Sequence, residues 1–240
     1  MIVSVSGRIG SGKDMVGSTI QVLTALSGEG LLSYATPKLI LEFQEERSRC
    51  DYEDPTEWQI KKFADKLKDI VSIILGCTRE QLEDRDFKEG ELGEEWWRYR
   101  AHDGSVYRNC AKQVYDKKPK NERLVDKLTP RKILQLLGTE AGRFIIHDDI
   151  WINSMFSDYK PDTSNWITTD TRFPNELEAV KERGGITIIV KRPETDHLAG
   201  DHASETALDN STFDEVIVND GSLEDLIEKV KEILARRGII

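Results

Sequence analysis

The feature that most constrains this chain is a glycine-rich loop near its amino terminus, set between an apolar run and an amphipathic segment. Residues 2–5 are mostly apolar, and the loop that follows reads Gly7-Arg8-Ile9-Gly10-Ser11-Gly12-Lys13. From Met15 to Leu26 the apolar residues then recur with the spacing of a helix. The pattern therefore predicts a strand, a tight loop and a helix, which is how an α/β sheet commonly begins.

The loop fits the pattern GxxxxGK, and its chemistry is phosphate binding. Backbone N–H groups of such a loop point into one cavity and donate to phosphate oxygens, and the positive end of the next helix adds a favourable field. Lys13 supplies a mobile charge that can follow a β- or γ-phosphate during transfer. An ordinary glycine turn is the alternative, but the flanking strand and helix favour phosphate binding. The residues predicted to bind the triphosphate of ATP are Gly7, Gly10, Ser11, Gly12, Lys13, Asp14 and Met15.

Asp14 occupies the position after the lysine, where a Ser or Thr hydroxyl usually meets Mg²⁺. A carboxylate beside a triphosphate is repulsive unless a cation lies between them. We therefore expect Asp14 to contact Mg²⁺ directly or through water. The alternative is that Asp14 only complements the positive end of the helix dipole and has no metal role.

The charge and cysteine content of the chain exclude several classes of protein. Its 240 residues include 34 Lys and Arg against 44 Asp and Glu, for a net charge of −10, so it should coat neither a nucleic acid polymer nor an anionic membrane. The three cysteines form no CxxC pair, which argues against a zinc site and fits a reducing compartment. No run approaches the roughly 20 apolar residues of a membrane span. We expect a cytoplasmic protein.

Further along the chain, strand patterns alternate with helix patterns. Residues 166–170 and 186–190 predict strands, and residues 174–185 predict the helix between them. A last strand at 216–218 precedes a helix opened by a capping box. This βαβ series predicts an α/β fold class with about five parallel strands.

Two segments interrupt the series. Residues 79–127 are dense in charge with interspersed Trp and Tyr, which indicates an insertion, and we place the whole inserted region at about 35–127. A helix should begin after it, because Thr129 and Pro130 form an N-cap followed by proline at the first helical position. The long polar stretch at about 193–210 predicts a lid-like loop.

Four arginines lie near the ends of predicted elements: Arg131, Arg143, Arg172 and Arg192. Phosphoryl transfer needs positive groups on both the donor and the acceptor phosphates, and bidentate arginine suits a monophosphate acceptor. For any single arginine the alternative is a surface ion pair. The guanine-reading motif NKxD of GTPases is absent from the sequence, which argues against a switch protein.

Nine segments, in order and spanning nearly the whole chain, carry a resemblance to a known family. They are GKD at 12–14, ADKLKD at 64–69, FKE at 87–89, LLGTE at 136–140, DxxW at 148–151, DTRFPNE at 170–176, RP at 192–193, HASE at 202–205 and NDGSLEDL at 219–226. On these the chain resembles the deoxynucleoside monophosphate kinases encoded by tailed bacteriophages.

The resemblance implies transfer of the ATP γ-phosphate to a deoxynucleoside 5′-monophosphate, giving the diphosphate and ADP. It implies a P-loop NTPase three-layer core with a parallel sheet, an inserted and mostly helical acceptor-binding region, Mg²⁺ as the metal and often a homodimer. If the chain is phage-encoded, its compartment is the host cytoplasm. The residues expected to act on the transferring phosphoryl group are Lys13, Arg172 and Arg143.

The resemblance also implies an acceptor site and a lid. The residues expected at the acceptor are Lys68, Lys88, Arg131, Gly138, Thr139, Trp151, Asp170 and Glu176. Three of these residues have two possible roles each. Trp151 stacks on the base or packs in the core, and Asp170 orients magnesium-bound water or pairs with Arg172. Glu176 contacts the acceptor or favours its own helix N-terminus. The lid over ATP would contain His202–Glu205, with Arg192 as its cation.

Two other functions fit the same loop. One is a P-loop kinase for another small acceptor, such as dephospho-coenzyme A or a cellular nucleotide. The other is a nucleotide-binding regulator without catalysis. Acceptor-dependent release of ADP separates a kinase from a regulator.

Overall fold

The computed structural model describes residues 1–47, 57–100, 124–193 and 207–240. The expected lid-like loop at 193–210, including His202–Glu205, lies mostly outside the described residues. The strands are β1 (Ile2–Gly7), β2 (Trp58–Ile60), β3 (Arg98–Arg100), β4 (Leu124–Asp126), β5 (Asn165–Thr168), β6 (Ile186–Lys191) and β7 (Glu215–Val218). The α-helices are α1 (Lys13–Gly28), α2 (Pro37–Arg47), α3 (Asp65–Leu75), α4 (Arg85–Glu89), α5 (Pro130–Gln135), α6 (Ile150–Phe156), α7 (Pro174–Glu182) and α8 (Leu223–Arg236).

The first of two compact units comprises Met1–Phe63 and Ile152–Ile240 and contains a five-stranded parallel sheet in the order β2-β5-β1-β6-β7. Central strand β1 is buried because it has a neighbour on each side: Val3 pairs with Ile167 of β5 and Ile186 of β6. The structure confirms the predicted parallel α/β sheet. Strand β2, at Trp58–Ile60, is the edge strand beside β5.

Helices cover both faces of this sheet, as a three-layer core requires. On one face α1 and α8 pack together, with Ile20 and Leu23 beside Val230 and Leu234. Helix α8 opens with the predicted capping box, since Ser222 and Asp225 each accept a hydrogen bond from the other's backbone N–H. On the other face α6 and α7 form a second cluster with the strands: Ile2, Phe63, Ile152, Met155, Phe156, Trp166, Ala179 and Val180.

The second unit is continuous, from Ala64 to Trp151. It begins and ends later than the insertion expected at about 35–127, because α2 and β2 belong to the first unit. Among its described residues, α3, α4 and α5 are helical, and β3 and β4 form an antiparallel pair. Helix α5 starts as predicted: the Thr129 side chain accepts a hydrogen bond from Lys132 N, and Pro130 is at the first helical position.

Helix α5 continues as a π-helix over Leu136–Ile146. A π-helix closes i→i+5 hydrogen bonds in place of i→i+4. The α-helical step of four that would align Arg131, Gln135, Thr139 and Arg143 on one polar edge therefore ends at Gln135. These four side chains therefore do not share one continuous α-helical edge.

No helix in the described ranges combines the length and apolar character needed to cross a membrane.

The ion pairs of Glu215 with Arg236 and Arg237 make the stability of the first unit sensitive to acid. Burial tends to raise the pKa of Glu215, but hydrogen bonds and charges from Arg236 and Arg237 outweigh it and hold the pKa below its ordinary 4.5. The unfolded chain therefore binds the proton more readily than the folded protein. The stabilisation from Glu215 is complete above about pH 4.5 and is lost as the pH falls through the lowered pKa.

We expect Glu215→Gln to lower the free energy of unfolding by about 1 kcal/mol at neutral pH. It should also weaken the loss of stability below about pH 4.5. Urea unfolding at several pH values measures both effects. Glu228→Gln is the matched control, because Glu228 is exposed and pairs with a single lysine. Identical acid profiles for Glu215→Gln and the native chain would contradict the prediction.

Candidate active site

The glycine loop leaves the carboxyl end of β1 and enters α1 at Lys13. Gly10 and Gly12 have φ angles of 80° and 96°, in the left-handed region that glycine adopts without strain. A side chain at Gly12 is also excluded by space, since its Cβ would lie 2.5 Å from the Asn219 amide nitrogen. The loop turns through a hydrogen bond from Ser11 N to Arg8 O of 3.1 Å. The local sequence thus dictates this conformation.

Asn219, a residue near the carboxyl terminus, stabilises the loop by hydrogen bonding. It follows β7, where its backbone N–H donates to Lys191 O at 2.7 Å. Its side-chain Nδ2 donates to Ser11 O at 2.8 Å. Sequence reasoning placed Asn219 in a matching motif without giving it a role. An amide residue directly after the last strand was the available signal, because all strands of this sheet end at the same edge as the loop.

Ser11 carries an unused hydrogen-bonding group. Its side chain is 1% exposed, and its Oγ has no hydrogen-bond partner among the described residues. A buried hydroxyl without a partner costs free energy. A phosphate oxygen in the loop would supply such a partner, and the binding of ATP by Ser11 stays a prediction.

A cavity of about 510 Å³ lies against the loop. Gly7, Arg8 and Ser11 line it from the loop, and Arg172 and Arg192 line it from two other segments. The rest of the lining combines polar and apolar residues: Ser6, Thr171, Ile189, Val190, Lys191, Leu208, Asp209, Ser211, Phe213 and Val216. The structure thus brings two of the four predicted arginines to the phosphate loop.

Arg8 also ties the loop to a neighbouring segment. Its guanidinium forms an ion pair with Asp209 at 3.2 Å, and both residues line the cavity. No role was predicted for Arg8 from the sequence. Its position within the loop places a further guanidinium where phosphate oxygens would bind.

The Asp14 carboxylate is held by two side chains. Thr169 Oγ1 donates to its Oδ1 at 2.7 Å, and Lys62 Nζ lies 3.3 Å from the same oxygen. Burial raises the pKa of Asp14, but the Lys62 charge, the Thr169 hydrogen bond and the Lys13 charge outweigh it, so the pKa is lowered. Asp14 is therefore a carboxylate at neutral pH. Neither Lys62 nor Thr169 was a sequence candidate.

Met15, the next residue, packs its side chain against two of the hydrophobic clusters around α1. Its carbonyl accepts a hydrogen bond from Thr19 Oγ1 at 2.8 Å. A contact of Met15 with ATP stays a prediction for its backbone N–H, because the side chain belongs to the core.

The turn between β5 and α7 is organised by its carboxylates. Asp170 Oδ1 accepts hydrogen bonds from Phe63 N at 3.0 Å and Thr168 Oγ1 at 3.1 Å. Glu176 is 2% exposed, and its Oε2 accepts from Arg172 N at 2.8 Å and Phe173 N at 3.1 Å. Of the two alternatives for Glu176, the structure shows the helix-terminus role, which also fixes the backbone of Arg172. A contact of either carboxylate with the acceptor or a metal stays a prediction.

In the second unit, three predicted acceptor residues lie together. Burial lowers the pKa of Lys88, and the nearby charges of Lys68 and Arg131 lower it further, against an opposing effect of Glu83. Lys68 pairs with Glu83 at 2.6 Å and Arg131 with Glu89 at 2.5 Å. This cation cluster, Lys68, Lys88 and Arg131, is suited to a dianionic phosphate, since like charges in close proximity favour an anion between them.

Two further acceptor candidates have structural roles in the same unit. Trp151 is 5% exposed, and its Nε1 donates to Gly138 O at 2.8 Å. A Cβ on Gly138 would lie 2.9 Å from Leu67 Cδ2, so the glycine allows close packing of α3 on the π-helix. The burial of Trp151 agrees with the core-packing alternative, and a stacking role stays a prediction.

The remaining two candidates lie on the π-helix. Thr139 is half-buried. Arg143 is 9% exposed, and its Nη1 donates to Asp148 O at 3.4 Å. Their predicted roles at the acceptor and at the transferring group remain predictions.

The geometry defines the class of the protein: a five-stranded parallel sheet with a phosphate loop after its central strand, the architecture of a P-loop kinase. A sequence profile of the deoxynucleotide monophosphate kinase family matches residues 85–230. The chain belongs to this family and is a kinase that uses ATP.

Individual proteins similar to this chain bear the name of the same family. The chain is 25% identical over 250 residues to the deoxynucleoside-5′-monophosphate kinase of Escherichia phage T5, covering 91% of this chain and 89% of that protein. It is 32% identical to the deoxynucleotide monophosphate kinases of Escherichia phage RB69 and Enterobacteria phage T4. Those two matches cover 43% and 45% of this chain, and 44% and 46% of the relatives.

Proposed function

We propose that this protein transfers the γ-phosphate of ATP to a deoxynucleoside 5′-monophosphate, yielding the deoxynucleoside diphosphate and ADP. The observation that carries the proposal is a cavity that the glycine loop, Arg172 and Arg192 line together. Membership of the deoxynucleotide monophosphate kinase family supports the choice of acceptor.

In this mechanism the first unit holds ATP. The loop amides and the Ser11 hydroxyl donate to phosphate oxygens, and the Lys13 ammonium follows the γ-phosphate as it leaves. Arg172, whose backbone is fixed by Glu176, stabilises the charge that develops on the transferring group. Arg192, which lines the same cavity, holds the donor nucleotide, and Arg143 is a further cation proposed for the transferring group.

Mg²⁺ is part of the proposal. No cluster of three or more His, Cys, Asp or Glu side chains suited to a metal occurs in the described part of the chain. The residues nevertheless fit Mg²⁺, which usually keeps several waters and binds through one or two carboxylates plus substrate phosphates. Asp14 would hold its water shell, with Asp170 as the second carboxylate. The metal, when bound, neutralises charge on the β- and γ-phosphates.

The second unit supplies the acceptor groups. The cation cluster would bind the acceptor monophosphate, replacing the contacts that Lys68 and Arg131 make with Glu83 and Glu89. A bidentate arginine such as Arg131 matches the geometry of a phosphate. Proton acceptance from the substrate phosphate is unnecessary, because at neutral pH an acceptor monophosphate already presents an anionic oxygen.

Lys88→Met should raise the KM for the acceptor about tenfold and leave the KM for ATP unchanged, because one phosphate contact is lost. Steady-state kinetics with each substrate varied in turn measures the two constants. Lys127→Met is a control from the same unit, since Lys127 pairs with Glu91 outside the cation cluster. Equal effects on both KM values would contradict a role of Lys88 at the acceptor.

The proposed function is tested by coupled measurement of ADP release. The four common deoxynucleoside monophosphates, their ribonucleotide counterparts and dephospho-coenzyme A are compared as acceptors. Turnover dependent on deoxynucleoside monophosphates is the expected result. Turnover only with another acceptor supports a different small-molecule kinase, and ATP binding without turnover supports a regulator.

We also propose that the protein is a homodimer, and sedimentation or light scattering measures its mass. Since relatives come from bacteriophages, we also propose that the protein acts in the host cytoplasm, where its nucleotide substrates occur.

A further inference from the structure

Lys62 belongs to none of the motifs that carry the family resemblance, yet the fold directs it to the phosphate loop. It lies two residues after β2, at the same sheet edge as the loop. Backbone hydrogen bonds hold it on both sides: Lys61 N donates to Ile167 O at 2.9 Å, and Phe63 N donates to Asp170 at 3.0 Å. Its ammonium is 3.3 Å from Asp14 Oδ1.

Thr169, the residue directly after β5, reaches the same oxygen. Thr169 is 1% exposed, and its Oγ1 donates to Asp14 Oδ1 at 2.7 Å. Helix α1 can approach this closely because residue 17 is glycine: a Cβ there would lie 2.5 Å from Thr169 Cγ2. Asp14 Oδ1 is thus bound twice, whereas Oδ2 accepts no hydrogen bond from the described residues and the side chain is 56% exposed.

The charges explain why such a pair is useful. Asp14 directly follows Lys13, so its negative charge is near the triphosphate and would oppose binding of another anion. An ammonium at ion-pair distance offsets that charge before any metal arrives. The hydrogen bonds to Oδ1 also fix the rotation of the carboxylate.

We propose that Lys62 is a positioning residue for the donor nucleotide. Lys62 neutralises Asp14 and, with Thr169, holds Oδ1, which leaves Oδ2 for the water shell of the metal–triphosphate complex. The inference rests on the proposed function in one respect, that ATP binds at the glycine loop.

The test is equilibrium binding of ATP by calorimetry without an acceptor, in EDTA and in excess Mg²⁺. Lys62→Met should weaken binding about tenfold in EDTA, where no metal replaces the lost charge, and less than about threefold with Mg²⁺, which supplies the missing positive charge. Lys62→Arg should retain most of the native affinity. Lys38→Met is the matched control: Lys38 is an exposed lysine of the same unit that also pairs with one carboxylate.

The Asp14→Asn background separates the mechanism from general charge loss. There Lys62→Met should have no effect on ATP binding, because residue 14 no longer carries the negative charge that Lys62 offsets. Two outcomes overturn this inference and leave the proposed donor site intact. They are native ATP affinity of Lys62→Met in EDTA, and an equal loss of affinity when Lys62→Met is made in the Asp14→Asn background. Failure of the native protein to bind ATP, or undiminished binding by Lys13→Met, overturns the proposed donor site and this inference with it.

Discussion

Replacing Lys13 with Met should lower kcat by at least about a hundredfold. The reason is that the lysine charge stabilises the transferring phosphoryl group, and removal of one preorganised stabilising group from an active site costs about 10²–10³ in rate. The fold should be unaffected, because Lys13 is the first residue of α1 and contributes to none of the hydrophobic clusters. Steady-state kinetics at saturating ATP and acceptor measures kcat.

Circular dichroism and the thermal midpoint should match those of the native protein. Lys38→Met again serves as the control for loss of one lysine, with kcat unchanged. A kcat within fivefold of the native value for Lys13→Met would remove the loop lysine from the reaction. It would leave a binding protein or regulator as the better interpretation of the same fold.

Replacing Arg172 with Ala should lower kcat by more than tenfold, which corresponds to a rise in activation free energy of more than about 1.4 kcal/mol. The fold of the variant should be unchanged. The guanidinium lines the same cavity as the phosphate loop, and its backbone N–H is held by Glu176. Because that hydrogen bond uses the backbone, it survives the substitution, and the turn before α7 keeps its structure.

Arg172→Lys adds a sharper comparison. It keeps the charge but loses the planar pair of donors, so an intermediate kcat indicates that bidentate contact contributes. Arg236→Ala is the control, since Arg236 is an exposed arginine in α8 that pairs with Glu215. A loss below tenfold for Arg172→Ala, or an equal loss for Arg236→Ala, would count against a role in transfer.

Local sequence signals predicted much of the first unit. The strand–loop–helix at the amino terminus needs glycine at the positive φ angles of Gly10 and Gly12, so its conformation is specified within a few residues. The caps at Thr129 and Ser222 were predicted for the same reason, because a cap depends on residues three positions apart. The π-helix after Gln135 was not predicted, since no local pattern distinguished it from an α-helix.

In the candidate site, too, the sequence identified residues, and packing decided their contacts. Motif resemblance identified Lys68, Lys88 and Arg131, and the structure brings them together. It also selected Trp151, whose burial against Gly138 depends on packing within the second unit. A family resemblance therefore identifies candidate site residues, but it does not reveal which groups their side chains contact.

By itself, the sequence determined the phosphate loop, the alternation of strands and helices, the family and most of the cations. Only the tertiary structure decided the partners of these residues. Lys62 meets Asp14 across 48 positions of sequence, and Asn219 meets the loop across 208. Both contacts exist because the strand order β2-β5-β1-β6-β7 brings the carboxyl ends of distant strands to one edge. Strand order depends on long-range packing, which local residue patterns do not encode.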